Sequence, residues 1–302
     1  MTDATSPAPT AVEIVALGAR HGLTLAAESV TLNELGLDFR VAHARTPDGE
    51  AWVLRIPRRG GMAESIRTEA AVLRLVAPRL GAAVPDWRVC TDELIAYPLL
   101  PGSPGLTLGA DGEPVWHMDV SSREYATQFA DLVARMQAIT PEEASAAGLD
   151  VIDAAASRSR RREQYERVAD AFAVAAPLRA RWESWLDDDS YWPTWTAFGH
   201  GELYQGHVLL DGGRISAVID WTTGGFDDPA RDLAFQKMTA PPEIFDLTVR
   251  RFAERGGRTW SRLAEHCAEL LAFGPVAYGL YALETGDDRV HAAAQAGLDP
   301  QD

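Results

Sequence analysis

Residues 198–221, FGHGELYQGHVLLDGGRISAVIDW, gather the side chains with which this chain could do chemistry. His200 and Glu202 share a short turn. His207 follows Glu202 by five residues and opens an apolar run, Val208, Leu209 and Leu210. Asp211-Gly212-Gly213 is a tight-turn signal, and a second apolar run over 215–219 ends at Asp220. A hairpin of this pattern sets two carboxylates and an imidazole at one mouth, a layout suited to holding a metal–nucleotide and orienting a hydroxyl for phosphoryl transfer. Glu202 could accept the proton of that hydroxyl, with His200 beside it, or could be a loop acid in a salt bridge. Asp220 at a strand end suits Mg²⁺, which favours oxygen donors, although Asp also caps helices. His207 is the harder case, because imidazole suits zinc better than Mg²⁺. By residue type it reads as a hydrogen-bonding core histidine, and only its place in the motif raises it to a metal ligand.

A second group lies nearer the N-terminus. Arg55 is a lone cation in the apolar run Val53-Leu54-Arg55-Ile56, and Glu69 falls on the inward stripe of the helix that follows. A strand cation paired with a helix acid is how a kinase holds the α- and β-phosphates, and the alternative is an exposed edge-strand arginine. Gly36, in Asn33-Glu34-Leu35-Gly36-Leu37-Asp38-Phe39, could let backbone approach a phosphate, or could mark an ordinary hairpin turn. There is no GxxxxGK[ST], which excludes a P-loop NTPase. Asp227, Asp228 and Asp232 surround Pro229 and Arg231. Asp228-Pro229 reads as the N-cap and first turn of a helix, and Asp232 with Arg231 as a buried pair tying that helix to the catalytic loop. The run Arg158, Arg160, Arg161 and Arg162 reads as a solvated face, and Trp182, Trp185, Trp192 and Trp195 as core packing.

These residues need two kinds of scaffold. Short apolar runs over 23–56, then 84–89 and 94–99, predict a five-stranded antiparallel sheet, with one helix over 11–21 before it and another over 62–80 within it. Residues 1–10 read as a frayed tail and not as a signal peptide. LPGSPG at 100–105 breaks regular structure and divides an N-terminal segment, 1–100, from a C-terminal one, 101–302. Beyond it, helices are expected over 121–139, 157–174, 176–186, 230–239, 242–255 and 259–285, interrupted by the hairpin. The 302 residues, 46% hydrophobic and 24% charged, can bury substantial cores. A net charge of −16 argues against nucleic acid or an anionic membrane as partner and is compatible with a cationic substrate. No apolar run approaches the roughly 20 residues of a membrane span. Cys90 and Cys267, far apart and without metal spacing, fit a reducing cytoplasm.

NELGLDF (33–39), WVLRIPRR (52–59), RTEAAVLRL (67–75), LIAYPLLPG (94–102), HGELYQGHVLL (200–210), VIDW (218–221) and DPARDLA (228–234) together resemble the aminoglycoside-phosphotransferase superfamily of kinase-like enzymes. The strand arginine within RIPRR, and a histidine where the superfamily usually has asparagine, point to its macrolide 2′-phosphotransferase branch. The resemblance implies an α+β, two-lobed, protein-kinase-like fold: a nucleotide-binding lobe with a five-stranded antiparallel sheet, a hinge, and a mainly helical lobe. It implies Glu202 as the base, His207 and Asp220 as Mg²⁺ ligands, Arg55 with Glu69 on the phosphates, and Ala96, Tyr97, Pro98 and Leu99 as the hinge that meets the nucleotide base. It implies GTP as donor, ATP being possible, and a monomer acting on the 2′-hydroxyl of a macrolide's desosamine sugar. That hydroxyl neighbours a dimethylammonium, and the drug's apolar ring calls for a wide wall, for which Asp228, Phe235, Met238, Phe273, Tyr278 and Tyr281 are candidates. The family pattern at the base is HGD, whereas this chain has Glu202. The extra methylene moves the carboxylate by roughly an ångström, which can cost about a hundredfold in rate where geometry carries catalysis. Two other functions therefore stay open: a kinase of another small hydroxylated amine, such as an aminoglycoside or a choline-like metabolite, and a weakly catalytic nucleotide-binding module.

Overall fold

A computed structural model describes residues 8–34, 36, 38–109 and 112–300; Leu35, Leu37 and most of the N-terminal tail lie outside the described residues. In chain order the elements are α1 (Ala11–Arg20), β1 (Thr31–Asn33), β2 (Phe39–Arg45), β3 (Ala51–Pro57), α2 (Ala63–Val76), β4 (Val89–Cys90), β5 (Ile95–Pro98), β6 (Ser103–Pro104), β7 (Leu106–Leu108) and β8 (Pro114–Trp116). They continue with α3 (Arg123–Gln137), α4 (Pro141–Ala146), α5 (Ala154–Ala171), α6 (Ala176–Asp187), β9 (Ala197–Gly199), β10 (Val208–Asp211), β11 (Arg214–Val218) and β12 (Gly225–Asp227). The C-terminal helices are α7 (Arg231–Thr239), α8 (Pro242–Glu254), α9 (Leu263–Ala272), α10 (Gly274–Thr285) and α11 (Asp288–Leu298). The chain divides into two compact units, Met1–Pro104 with Val208–Thr222, and Gly105–His207 with Thr223–Asp302.

The first unit is built on a five-stranded antiparallel sheet of order β1-β2-β3-β5-β4. Side chains alternate across a strand, so the sheet has two buried faces. Ala42, Ala44, Leu54, Leu94 and Ala96 pack with Ile14 and Leu17 of α1. Phe39, Val53, Ile95 and Tyr97 pack with Ile66 of α2. Arg55 has the parity of Val53, so the pleat aims it at α2. A capping box starts α1: Thr10 accepts from the Glu13 N–H while the Glu13 side chain accepts from the Thr10 N–H.

The hairpin β10–β11 joins this unit although it lies far along the chain. Asp211 faces Arg214 across a two-residue loop, and Gly212 and Gly213 both have positive φ, 56° and 81°, as a type I′ turn demands. β10 also pairs with β6, and Ala83 exchanges backbone bonds with Ser216 and Val218.

The second unit is mainly helical. One of its cores surrounds Trp182 and Trp185, both essentially inaccessible, with Tyr165, Phe172, Phe273 and Val276. Asp131 on α3 accepts from Arg251 and Arg255 at the end of α8. A two-stranded pair, β9 with β12, leads into the segment 200–207.

Several elements differ from expectation. The strand expected over 84–89 shrinks to β4, Val89–Cys90; Pro85 has no N–H to give a ladder. The helix expected over 259–285 is two helices, broken at Phe273 with Pro275 in the first turn of α10. The short α4 and the terminal α11 were not expected. The arginine run is not a plain solvated face: Arg158 and Arg162 donate to the Leu186 carbonyl at the end of α6, and Arg161 lies beside Asp227.

Candidate active site

In the first unit Arg55 donates to the Glu69 carboxylate at 2.6 Å, and both side chains are buried. The guanidinium also lies 4.3 Å from the centre of the Phe39 ring. Burial opposes the charge on Arg55, but Glu69, Tyr97 and Asp220 more than offset it and hold the guanidinium protonated. Burial pushes the Glu69 carboxyl up, and the Asp220 charge adds to that, against the pull of Arg55. Asp220 thus belongs electrostatically to this pair. It has φ of 62°, the one positive φ outside glycine among the described residues. Such a backbone costs on the order of 1 kcal/mol or more and persists where surrounding structure or function demands it. β11 ends at Val218, two residues short of Asp220, and Thr222 donates its hydroxyl to Asp220 Oδ1 at 2.8 Å.

In the second unit the segment 199–207 is fastened to α7 by Asp232. This buried carboxylate accepts the N–H groups of His200 at 2.8 Å and Gly201 at 2.7 Å, while burial pushes its pKa up. The sequence reading pairs Asp232 with Arg231; instead Arg231 reaches Asp227 and the Gly201 carbonyl, and Asp232 itself holds the loop. Two glycines make room. A Cβ on Gly199 would lie 2.6 Å from Asp232 Oδ2, and Gly201, at φ 90°, would drive a Cβ into the Thr223 carbonyl.

His200 is inaccessible, and its Nδ1 accepts the Glu202 N–H at 3.3 Å. That burial corrects its placement among the catalytic groups: it positions the Glu202 backbone. The Glu202 side chain is exposed. Its carbonyl lies 3.0 Å from His207 Nδ1 and accepts the Tyr204 N–H. A carbonyl can only accept, so Nδ1 of His207 is the donor in this contact. Among the described residues no three His, Cys, Asp or Glu side chains are grouped to hold a metal ion. Of the two ligands the sequence suggests, Asp220 offers the oxygen that Mg²⁺ favours, whereas His207 offers nitrogen.

The remaining candidates separate by burial. Asp228 is buried, accepting the Ala230 N–H and lying 2.6 Å from His266 Nε2, so it is an internal strut and no part of a substrate wall. Nor is it the N-cap of α7, which begins at Arg231. Phe273 is packed among Trp182 and Trp185 and is likewise removed from the wall. Phe235 touches the Tyr204 ring at 5.5 Å, and Tyr204 touches His207 at 4.4 Å, so α7 does reach the loop. Met238 and Tyr278 are 59% and 43% exposed, and the Tyr281 ring lies 6.2 Å from that of Tyr278. Ala96 is fully buried and its carbonyl accepts the Arg88 N–H, so sheet pairing uses the backbone assigned to a nucleotide base. Burial pushes the Tyr97 phenol up to about 12. Leu99 is exposed, with its N–H bonded to the Ala51 carbonyl. Gly36 is exposed, and its carbonyl accepts from Arg58 at 2.7 Å.

The comparisons agree with this geometry on a kinase-like α+β fold. The chain belongs to the phosphotransferase enzyme family, whose profile matches residues 29–266, and it is a kinase. It is similar to the crystal structure of macrolide 2′-phosphotransferase MphH from Brachybacterium faecium, with 48% identity and a TM-score of 0.88 over 96% of this chain and 97% of that one. It is also similar to a macrolide 2′-phosphotransferase type I structure, with 40% identity and a TM-score of 0.90 over 98% of this chain and all of the other. Uncharacterized protein YcbJ of Bacillus subtilis is 35% identical over 290 residues, 94% of each chain.

Proposed function

We propose that this kinase moves the γ-phosphate of GTP, with ATP as a second donor, to the 2′-hydroxyl of the desosamine sugar of macrolide antibiotics, and so confers resistance. The observation that carries the reading is the near full-length likeness to two macrolide 2′-phosphotransferases. The net charge of −16 suits a substrate whose dimethylammonium adjoins the reacting hydroxyl.

In this reading Arg55, held protonated by Glu69, binds the nucleotide's phosphates through the donors that Glu69 does not use. Glu202 presents its exposed carboxylate to the substrate hydroxyl, orients it and accepts its proton as the oxygen attacks. Asp232 and His200 fix the backbone under that carboxylate, so alignment does not have to be found anew in each turnover. Asp220 and His207 would hold Mg²⁺, which supplies positive charge to the phosphates. Phe235, Met238, Tyr278 and Tyr281 offer apolar surface to the macrolide ring, and the 94–102 segment, with Leu99, lies along the nucleotide base. We place the protein in the cytoplasm as a monomer; the unpaired Cys90 and Cys267 support that compartment, and light scattering tests the monomer. No described helix is long and apolar enough to cross a membrane.

The test is direct. Erythromycin incubated with the protein, Mg²⁺ and GTP or ATP gains the mass of one phosphoryl group, lost again on phosphatase treatment, and NMR locates it on the 2′-oxygen. An unchanged drug mass under saturating GTP and ATP overturns the reading, and phosphorylation of an aminoglycoside in a parallel panel reassigns the substrate.

A further inference from the structure

The second unit contains a cavity of about 660 Å³ that no step of the proposed reaction uses. Its walls come from the end of α3, the start of α5, the residues leading into β9, and the turn after α8. Ala134, Ile139, Ile152 and Phe226 give it an apolar lining, and Arg255 and Arg258 stand at its border. A cavity of this size and mixed lining is in the range that takes a small organic molecule.

Two features specify the ligand. The indole nitrogen of Trp195, a residue of the cavity lining, is buried yet reaches no acceptor among the described residues. Buried donors almost always have partners, so this one asks for an acceptor from outside. The Arg258 guanidinium carbon lies over the same ring, 3.9 Å from its centre, and Arg258 makes no salt bridge among the described residues. The ring orients the cation without neutralising it. Arg255 gives Nε and Nη2 to Asp131 and keeps Nη1. Asp131 nearby is paired with Arg251 and Arg255; Asp153 lines the cavity at the start of α5, where as N-cap it accepts the Ala156 N–H.

We propose that this cavity is a second binding site for a small organic carboxylate on a flat apolar body. The carboxylate takes the Trp195 N–H and the Arg258 guanidinium, and the apolar body fills the space between Ile139, Ile152 and Phe226. The site adjoins the reaction machinery through two strands: Asp227 pairs with Ala197 at the cavity end of β9–β12, and Gly225 pairs with Gly199, the residue before His200, at the other.

The test uses full-length protein labelled with ¹⁵N, whose nine tryptophans give a countable set of indole N–H signals. 2-Naphthoate is titrated in, with 2-naphthylmethylammonium as the matched cation and GTP–Mg²⁺ present throughout. The Trp195 signal, identified by its loss in Trp195→Phe, should move saturably with naphthoate and stay put with the ammonium. Arg258→Gln, at an exposed position that folding tolerates, should weaken naphthoate binding about tenfold, the usual worth of a hydrogen bond to a charged group. If Trp195→Phe does not fold, Arg258→Gln carries the test by calorimetry. No saturable binding, equal binding of the ammonium, or unchanged affinity in Arg258→Gln overturns the proposal.

Discussion

Arg55 and Glu69 form an ion pair 2.6 Å long that is shut off from water, and the charge of Asp220 bears on both members. Breaking such a pair leaves one buried charge uncompensated, which typically costs about 3–5 kcal/mol, whereas replacing both members with apolar side chains can be neutral. Glu69→Gln should therefore lower unfolding stability by about 3 kcal/mol, read by urea denaturation. Arg55→Met combined with Glu69→Met should recover most of that loss. Nucleotide affinity should fall in both proteins, since the proposed phosphate-binding cation is misplaced in one and absent in the other. Equal stability of Glu69→Gln and the parent would show that the pair is not structural.

Asp232→Asn tests the loop anchor. The amide keeps the shape but loses the charge that receives the His200 and Gly201 N–H groups. A loop shift of about 1 Å can cost about a hundredfold in rate. kcat should drop by one to two orders of magnitude while nucleotide Kd, measured by fluorescence titration, stays within about twofold. A matched loss in Kd would mean that Asp232 supports the fold at large.

The acid limb of stability should depend on Asp131. Burial raises its pKa, but the hydrogen bonds from Arg255 and Arg251 outweigh that and hold the carboxyl below its ordinary 3.8. The folded protein therefore binds this proton less tightly than the unfolded chain does. The contribution is present above the unfolded value near 3.8 and is lost as pH falls through the lower folded one. Asp131→Asn should be less stable at neutral pH, and the difference from the parent should shrink below pH 4 in thermal melts. A constant difference across that range would assign the effect to packing.

Much of this was legible in the sequence, for identifiable reasons. The apolar run marked Arg55 as a lone strand cation, leaving an exposed edge position as the alternative, and the helix stripe gave Glu69, because the helical period is fixed by backbone geometry. Gly212-Gly213 named its own turn. The burial of Phe273 and Asp228 was not readable, since an apolar or acidic residue near a site looks the same whether it faces a ligand or a core. α4 carried a signal that could have been found: Thr140 and Glu143 form a capping box with Pro141 in the first turn. Its six residues are too few to show a stripe. The sequence reading has Asp232 tying its helix to the loop but through Arg231; that its partners are the His200 and Gly201 N–H groups, some 32 positions away, no local pattern encodes.

Glu202 and Asp220 can be separated by opposite substitutions. Glu202 hangs from a backbone fixed by His200 and His207, so Glu202→Asp changes reach without moving the loop. It should raise kcat toward the value an HGD loop allows, by up to about a hundredfold, and Glu202→Gln should lower it by about 10²-fold or more. Asp220 holds its carboxylate on a left-handed backbone with φ of 62°. Asp220→Gly removes that strain at the cost of some chain entropy, so the protein should be as stable as the parent or better by up to about 1 kcal/mol. The same change deletes the proposed metal ligand, so Mg²⁺-dependent nucleotide binding, followed by calorimetry with and without chelator, should disappear. A protein more stable and less able to bind would mean that the strain at Asp220 is retained for function; undiminished Mg²⁺–nucleotide affinity in Asp220→Gly would remove the residue from the site.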